Sequence, residues 1–222
     1  MNLRLHTPLA LLALPLIFTL TAGAADVLTT ARAVDDHYNH LRSLKGAFTE
    51  IYQSAGVSRI ESGTLWLKKP GRMRWEYLEP KAKLFLVDSE NAYFYVRGEP
   101  QARKTSLKNV DDIRSPLRFL LGKTKLEKEL DALSLAPDVA PLQPGNIVLR
   151  GIPKTMKDRI SEVLLEVSSA HEIVRMVIEG TDGTSTEFRF SQIESDVPIA
   201  DSFFRFQPPP GVSTIQDDQL AR

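Results

Sequence analysis

The sequence predicts an α+β fold, mainly antiparallel β, from three observations. Apolar residues recur at helical spacing near the start, they recur at every second position through much of the remaining chain, and clusters of Gly, Pro, Asp and Asn divide the alternating runs. Val27, Ala31, Val34, Tyr38 and Leu41 fall on one face of a 3.6-residue period, so a helix is expected there. Asp26 can cap that helix and face its positive end, and Gly46 is expected to close the segment after Leu44.

From there the period changes to two. Met73, Trp75 and Tyr77 point one way, and Arg72, Arg74 and Glu76 the other. Less clean alternation runs through residues 47–52, 59–68, 83–87 and 92–97, with turns at 54–57, Pro70-Gly71, Glu79-Pro80, 88–91 and 98–100. Short strands so spaced form an antiparallel meander. Residues 116–121 read as a short apolar helix, with Ser115 as N-cap, Pro116 at the first position and Gly122 after its end. Residues 126–133 are expected to form another, before a loop with three prolines at 136–145. Strands resume at 147–149, 163–167, 173–179, 184–193 and 203–206, and Asp182-Gly183 is a strong hairpin signal. Residues 208–212 are stiff and extended.

The first residues carry an address. Arg4 precedes an apolar run at 9–20, and Ala22-Gly23-Ala24-Ala25 offers small residues for cleavage, the pattern of an export signal. The expected division is therefore a cleaved signal peptide at 1–25 and a single domain at 26–222. Losing Arg4 leaves 27 of the 28 basic residues against 28 acidic ones. That near-neutral balance implies no nucleic acid or anionic membrane as partner. The chain has no cysteine, so burial alone must hold the fold and no thiol exists to carry a lipid anchor.

Chemistry that would mark an enzyme is missing. His37 and His40 lie three apart on the first helix without a third ligand at sensible spacing, so no metal or other cofactor is expected. His171 reads as a turn residue. No G-x-S-x-G elbow, S-x-x-K, phosphate loop or dinucleotide fingerprint occurs. The acidic residues fall mostly on the polar parity of the strands.

The segment Glu61-Ser-Gly-Thr-Leu-Trp-Leu-Lys-Lys-Pro-Gly-Arg-Met-Arg-Trp-Glu-Tyr77 resembles the outer-membrane lipoprotein carrier (LolA) family, with its G-x-L-x-[VL]-K-[RK]-P-x-x-[FM]-x-W block. Three more blocks agree in order: Leu84-Phe-Leu-Val-Asp88 followed by Ala92-Tyr-Phe-Tyr95, the helix at 116–121, and Phe204-Arg-Phe-Gln-Pro-Pro-Pro-Gly-Val212. The resemblance implies an incomplete, half-open β-barrel with an N-terminal helix and short helices forming a lid. It implies no enzyme but a periplasmic carrier of triacylated lipoproteins, loaded by an inner-membrane ATP-driven transporter and unloaded to an outer-membrane receptor lipoprotein. A monomer is expected. A carrier or sensor of another lipid, such as a glycolipid, is the alternative, and a periplasmic hydrolase the remote one.

One acyl chain of ~16 carbons costs on the order of 12 kcal/mol to expose to water, so such a carrier needs a dry, adaptable cavity. The residues expected to line it are Phe48, Leu65, Leu67, Met73, Trp75, Tyr77, Phe85 and Val87, with Leu117, Phe119, Leu120 and Leu121 on the lid. The resemblance places a lid-holding arginine at the position of Lys69. Lysine lacks the guanidinium fork, so either Lys69 holds the lid or Arg72 or Arg74 takes part.

Overall fold

A computed structural model of the chain describes residues 23–107, 120 and 125–217. The expected signal peptide up to residue 22 and the expected lid residues Leu117, Phe119 and Leu121 lie outside the described residues. A helix, α1 (Gly23–His40), leads into a meander of β1 (Ser43–Ser54), β2 (Val57–Lys68), β3 (Arg72–Glu79), β4 (Lys83–Asp88), β5 (Asn91–Val96) and β6 (Gln101–Ser106). A one-turn helix, α2 (Leu126–Glu129), opens a second meander: β7 (Leu130–Leu135), β8 (Ile147–Pro153), β9 (Ile160–Val167), β10 (Ile173–Gly180) and β11 (Ser185–Ser195). A 3-10 helix (Asp201–Phe204) and a last strand, β12 (Ser213–Gln216), complete the described chain.

These twelve strands form one sheet, ordered β12-β6-β5-β4-β3-β2-β1-β11-β10-β9-β8-β7. The two meanders meet where β1 pairs antiparallel with β11. β12 and β7 are left as edges, so the sheet stays open and the barrel is incomplete. Every pair is antiparallel except β12 with β6. Residues 197–212 form the strap that makes this parallel pairing possible, crossing the outer face of the first meander. Lys68 Nζ donates to Ile199 O, Arg74 donates to Phe203 O at 3.1 Å, and Tyr93 and Phe206 stack at 4.9 Å.

The core lies on the inner face. Val27, Ala31, Val34 and Tyr38 of α1 join one buried cluster with Leu44, Phe48, Leu65, Leu67, Met73 and Trp75 of the first meander and inward residues of the second, such as Leu149, Val163, Leu165 and Met176. The helical face read from the sequence is thus the one buried. Tyr38 Oη accepts the Ile173 N–H at 2.9 Å, fixing α1 to β10. On the outer face of β8 to β10, the loop at 136–146 is held by Glu166. This fully buried carboxylate accepts from the Leu142 and Gln143 N–H groups and Asn146 Nδ2, and pairs with Arg175 Nε at 2.9 Å.

Five expectations need correction. Asp26 does not cap α1, which begins three residues earlier at Gly23. Gly46 does not end a helix: α1 stops at His40 and Gly46 lies inside β1, where a Cβ would come 3.4 Å from Ser191 O of β11. The second short helix keeps only residues 126–129 before the chain turns into β7. Residues 203–206 are not a strand, because Phe203 and Phe204 sit in the 3-10 helix packed over the outer face. Strands β6 and β12 were not foreseen; both are polar and near an edge, where alternation is faint.

Candidate functional site

Register places the expected cavity residues on one surface. Phe48 lies opposite Gly63 on β2, Leu65 opposite Trp75, Leu67 opposite Met73, Met73 opposite Val87, and Trp75 opposite Phe85. Because paired residues share a face, these side chains and Tyr77 all point inward. Phe48, Leu65, Leu67, Met73, Trp75 and Val87 are buried, and Tyr77 and Phe85 pack half-buried against them.

The centre of this face is aromatic. Trp75 meets the Phe48 ring at 4.7 Å, Phe188 at 5.7 Å and Phe190 at 6.3 Å, each edge-on, and Phe48 meets Tyr77 at 4.9 Å. Strands β3 and β11 are separated by β2 and β1, which puts their backbones ~14 Å apart along a flat sheet at ~4.8 Å per strand. Ring contact between them requires large side chains and an inward curl of the sheet. Phe188 and Phe190 were not foreseen as part of the face, although Phe188-Arg189-Phe190 carries the same period-two signal as Met73 to Tyr77.

Of the residues expected to form a lid, Leu120 is the described one, and it is seated in the cluster at only 5% exposure. It borders two voids of about 10 Å³ each, one shared with Tyr38, Leu44, Leu65 and Phe190, the other with Leu44, Leu67 and Lys69. Such voids hold about one water, so around Leu120 the inner face is filled. The roomier cleft among the described residues, about 530 Å³, lies on the outer face between Lys45, Trp66 and the strap.

Lys69 and the two arginines part company. Lys69 Nζ donates to Tyr38 O at 2.5 Å and Asn39 O at 2.8 Å, satisfying carbonyls left open at the end of α1 beside Leu120. Arg72 and Arg74 point to the outer face. Arg72 pairs with Asp201 at 3.5 Å, and Arg74 pairs with Glu76 and lies 4.6 Å from the Phe203 ring. Both therefore bind the strap and share no face with Leu120.

Toward the β1–β2 turn the inner face becomes polar. Tyr77 Oη donates to Glu50 Oε2 at 2.7 Å. Lys83 Nζ donates to both oxygens of buried Glu61 at 2.6–2.7 Å and stands 4.2 Å from the centre of the Tyr77 ring. Burial pushes the Glu50 carboxyl and the Tyr77 phenol upward from their ordinary values. Glu50 and Glu61 face each other in register. Their signal in the sequence was a charge at an apolar parity, two residues after Phe48 and four before Leu65.

Comparison with known proteins bears on this arrangement. The chain is 29% identical over 208 residues to an outer-membrane lipoprotein carrier protein of Alkalilimnicola ehrlichii, covering 93% of this chain and 92% of that one. It is 27% identical over 207 residues to the protein so described in Nitrosospira multiformis, covering 91% and 94%. Among solved structures, an uncharacterized conserved protein from Thermus thermophilus shares the fold, with a TM-score of 0.51 at 10% identity over 87% of this chain and 99% of the other. The family model for the outer membrane lipoprotein carrier protein LolA matches residues 39–207, from the end of α1 through both meanders to the strap, and the chain belongs to that family.

Proposed function

We propose that this protein is a periplasmic carrier whose inner face takes up the acyl chains of lipoproteins released from the inner membrane and delivers them to an outer-membrane receptor. The observation that carries this reading is Leu120, buried in the cluster of the inner face beside Tyr38, Leu65 and Phe190. Exposing a leucine costs about 2 kcal/mol, whereas one acyl chain hides on the order of 12 kcal/mol of apolar surface. A chain that displaces Leu120 therefore gains more than the lid loses. Lys69 holds the end of α1 next to Leu120 and is the residue through which helix and lid would move together. The family's name and the export signal support the same reading.

The test is native mass spectrometry of the full chain, expressed with its signal and purified from the periplasm. A one-to-one complex with a triacylated lipoprotein is expected, and it should dissociate when the outer-membrane receptor is added. Free protein alone, or a bound glycolipid amid abundant lipoprotein, would overturn the cargo assignment.

A further inference from the structure

Trp75 holds an unexplained polar atom. The residue is 1% exposed, at the centre of the inner face, and its indole Nε1 is buried without a hydrogen-bond partner among the described residues. Its cross-strand neighbours are Leu65 and Phe85, and its ring neighbours are Phe48, Phe188 and Phe190, so these surroundings offer carbon and no acceptor. Buried indole N–H groups are ordinarily paired, and leaving one unpaired costs free energy that a phenylalanine at the same place would not. A packing role alone does not require the nitrogen.

We propose that Trp75 Nε1 donates a hydrogen bond to an acyl carbonyl of the bound lipid and so fixes how deep the chains sit. This rests on the acyl-carrier reading above. The chemistry comes from the donor: an indole N–H is neutral and cannot accept, so its partner is an acceptor that enters a dry, apolar site without a charge. The carbonyl of an ester or amide joining an acyl chain to its headgroup meets that requirement. A charged phosphate would not, because burying it here without a counter-charge is far costlier. The polar residues Tyr77, Glu50 and Lys83 lie on the same face toward the β1–β2 turn, so a lipid held at Trp75 has a polar region to turn its head toward.

The test combines stability with binding. Three synthetic lipopeptides serve as probes, each with all three chains and no added charge: a triacylated one with two esters and one amide, its diether counterpart that keeps only the amide, and its diester counterpart in which an ether replaces the N-acyl amide. Each is titrated into the wild-type full chain and Trp75→Phe, and both proteins are melted without lipid. Expected are a free Trp75→Phe that melts a few degrees higher and binds the triacylated probe about five- to tenfold more weakly. In the wild type, replacing the carbonyl that the indole contacts should cost the same factor, and that discrimination should vanish in the variant. Loss with the diether assigns the contact to an ester, and loss with the probe whose amide is replaced by an ether assigns it to the amide. If Trp75→Phe does not fold, Trp75→3-benzothienylalanine keeps the shape without the N–H and gives the same readout.

A variant that weakens all three probes equally would mean that the ring only packs, and the hydrogen bond would be ruled out. Equal affinities for all three in both proteins would rule it out too while leaving the acyl-carrier reading intact. A wild type that binds none of the three would sink that reading and this contact with it.

Discussion

Asp35 sits on α1 and accepts the Leu126 N–H with both oxygens, at 3.0 and 3.1 Å, so one carboxylate joins the N-terminal helix to the start of the second meander. Burial, only partly offset by that hydrogen bond, raises its pKa from 3.8 to about 6. A raised folded-state pKa favours the protonated form, so its contribution to stability is full below the ordinary value and is lost as pH rises through about 6. An asparagine in its place would keep an acceptor without the charge. Asp35→Asn should therefore gain in melting temperature over wild type between pH 4 and pH 7.5, and thermal melts at both values check this. An unchanged gap would show that the Asp35 carboxyl does not titrate in that window. Glu166 is the contrasting case, a fully buried carboxylate whose donors are all in place. Glu166→Gln leaves the largely covered Arg175 guanidinium without its counter-charge, which costs about 3 kcal/mol. Urea denaturation should show that loss.

At the scale of the element, β2 and β3 meet at a bulge beside Gly63. A Cβ there would lie 1.9 Å from Glu76 O, so no side chain fits without moving the backbone of β3. Gly63→Ala should cost about 2–4 kcal/mol, visible as a lower denaturation midpoint, and would loosen the strand that carries Trp75 and Tyr77. Elements of this kind were the legible part of the sequence. Met73 to Tyr77 alternate without exception, and α1 repeats an apolar face over four turns, so register and burial follow from pattern. β6 and β12 were not legible, because polar strands at or near an edge show little apolar parity; β7 was not, because Leu126, Leu130 and Leu133 also fall at helical spacing, while its leucines pack on the core across a register shift. The strap misled for the opposite reason. Phe203, Phe204 and Phe206 are aromatic enough for a strand but pack as separate anchors on the outer face. Arg72 and Arg74 were candidates because they lie close to Lys69 in the sequence, although their own parity, opposite to Met73 and Trp75, already placed them on the outer face.

Across the whole molecule, two meanders share one inner face, and Leu120 reaches that face from the far end of the segment joining them. On the proposed reading, lid and cargo compete for the same apolar surface, so weakening one strengthens the other. Leu120→Ser removes about 2 kcal/mol of closed-state burial, so lipopeptide affinity should rise by up to about thirtyfold, as measured by titration. An unchanged affinity would mean that Leu120 stays in place when the ligand enters. The two tryptophans of the chain report on the claim that acyl chains occupy the inner face, since Trp75 lies on it and Trp66 packs under the strap against Phe203. The most direct measurement is fluorescence quenching by a lipopeptide with brominated acyl chains, using Trp66→Phe to isolate Trp75 and Trp75→Phe to isolate Trp66, each at saturating ligand. Strong quenching of Trp75 and little of Trp66 are expected. Quenching of Trp66 alone, or of neither while mass spectrometry shows the lipopeptide bound, would place the chains elsewhere and contradict that claim.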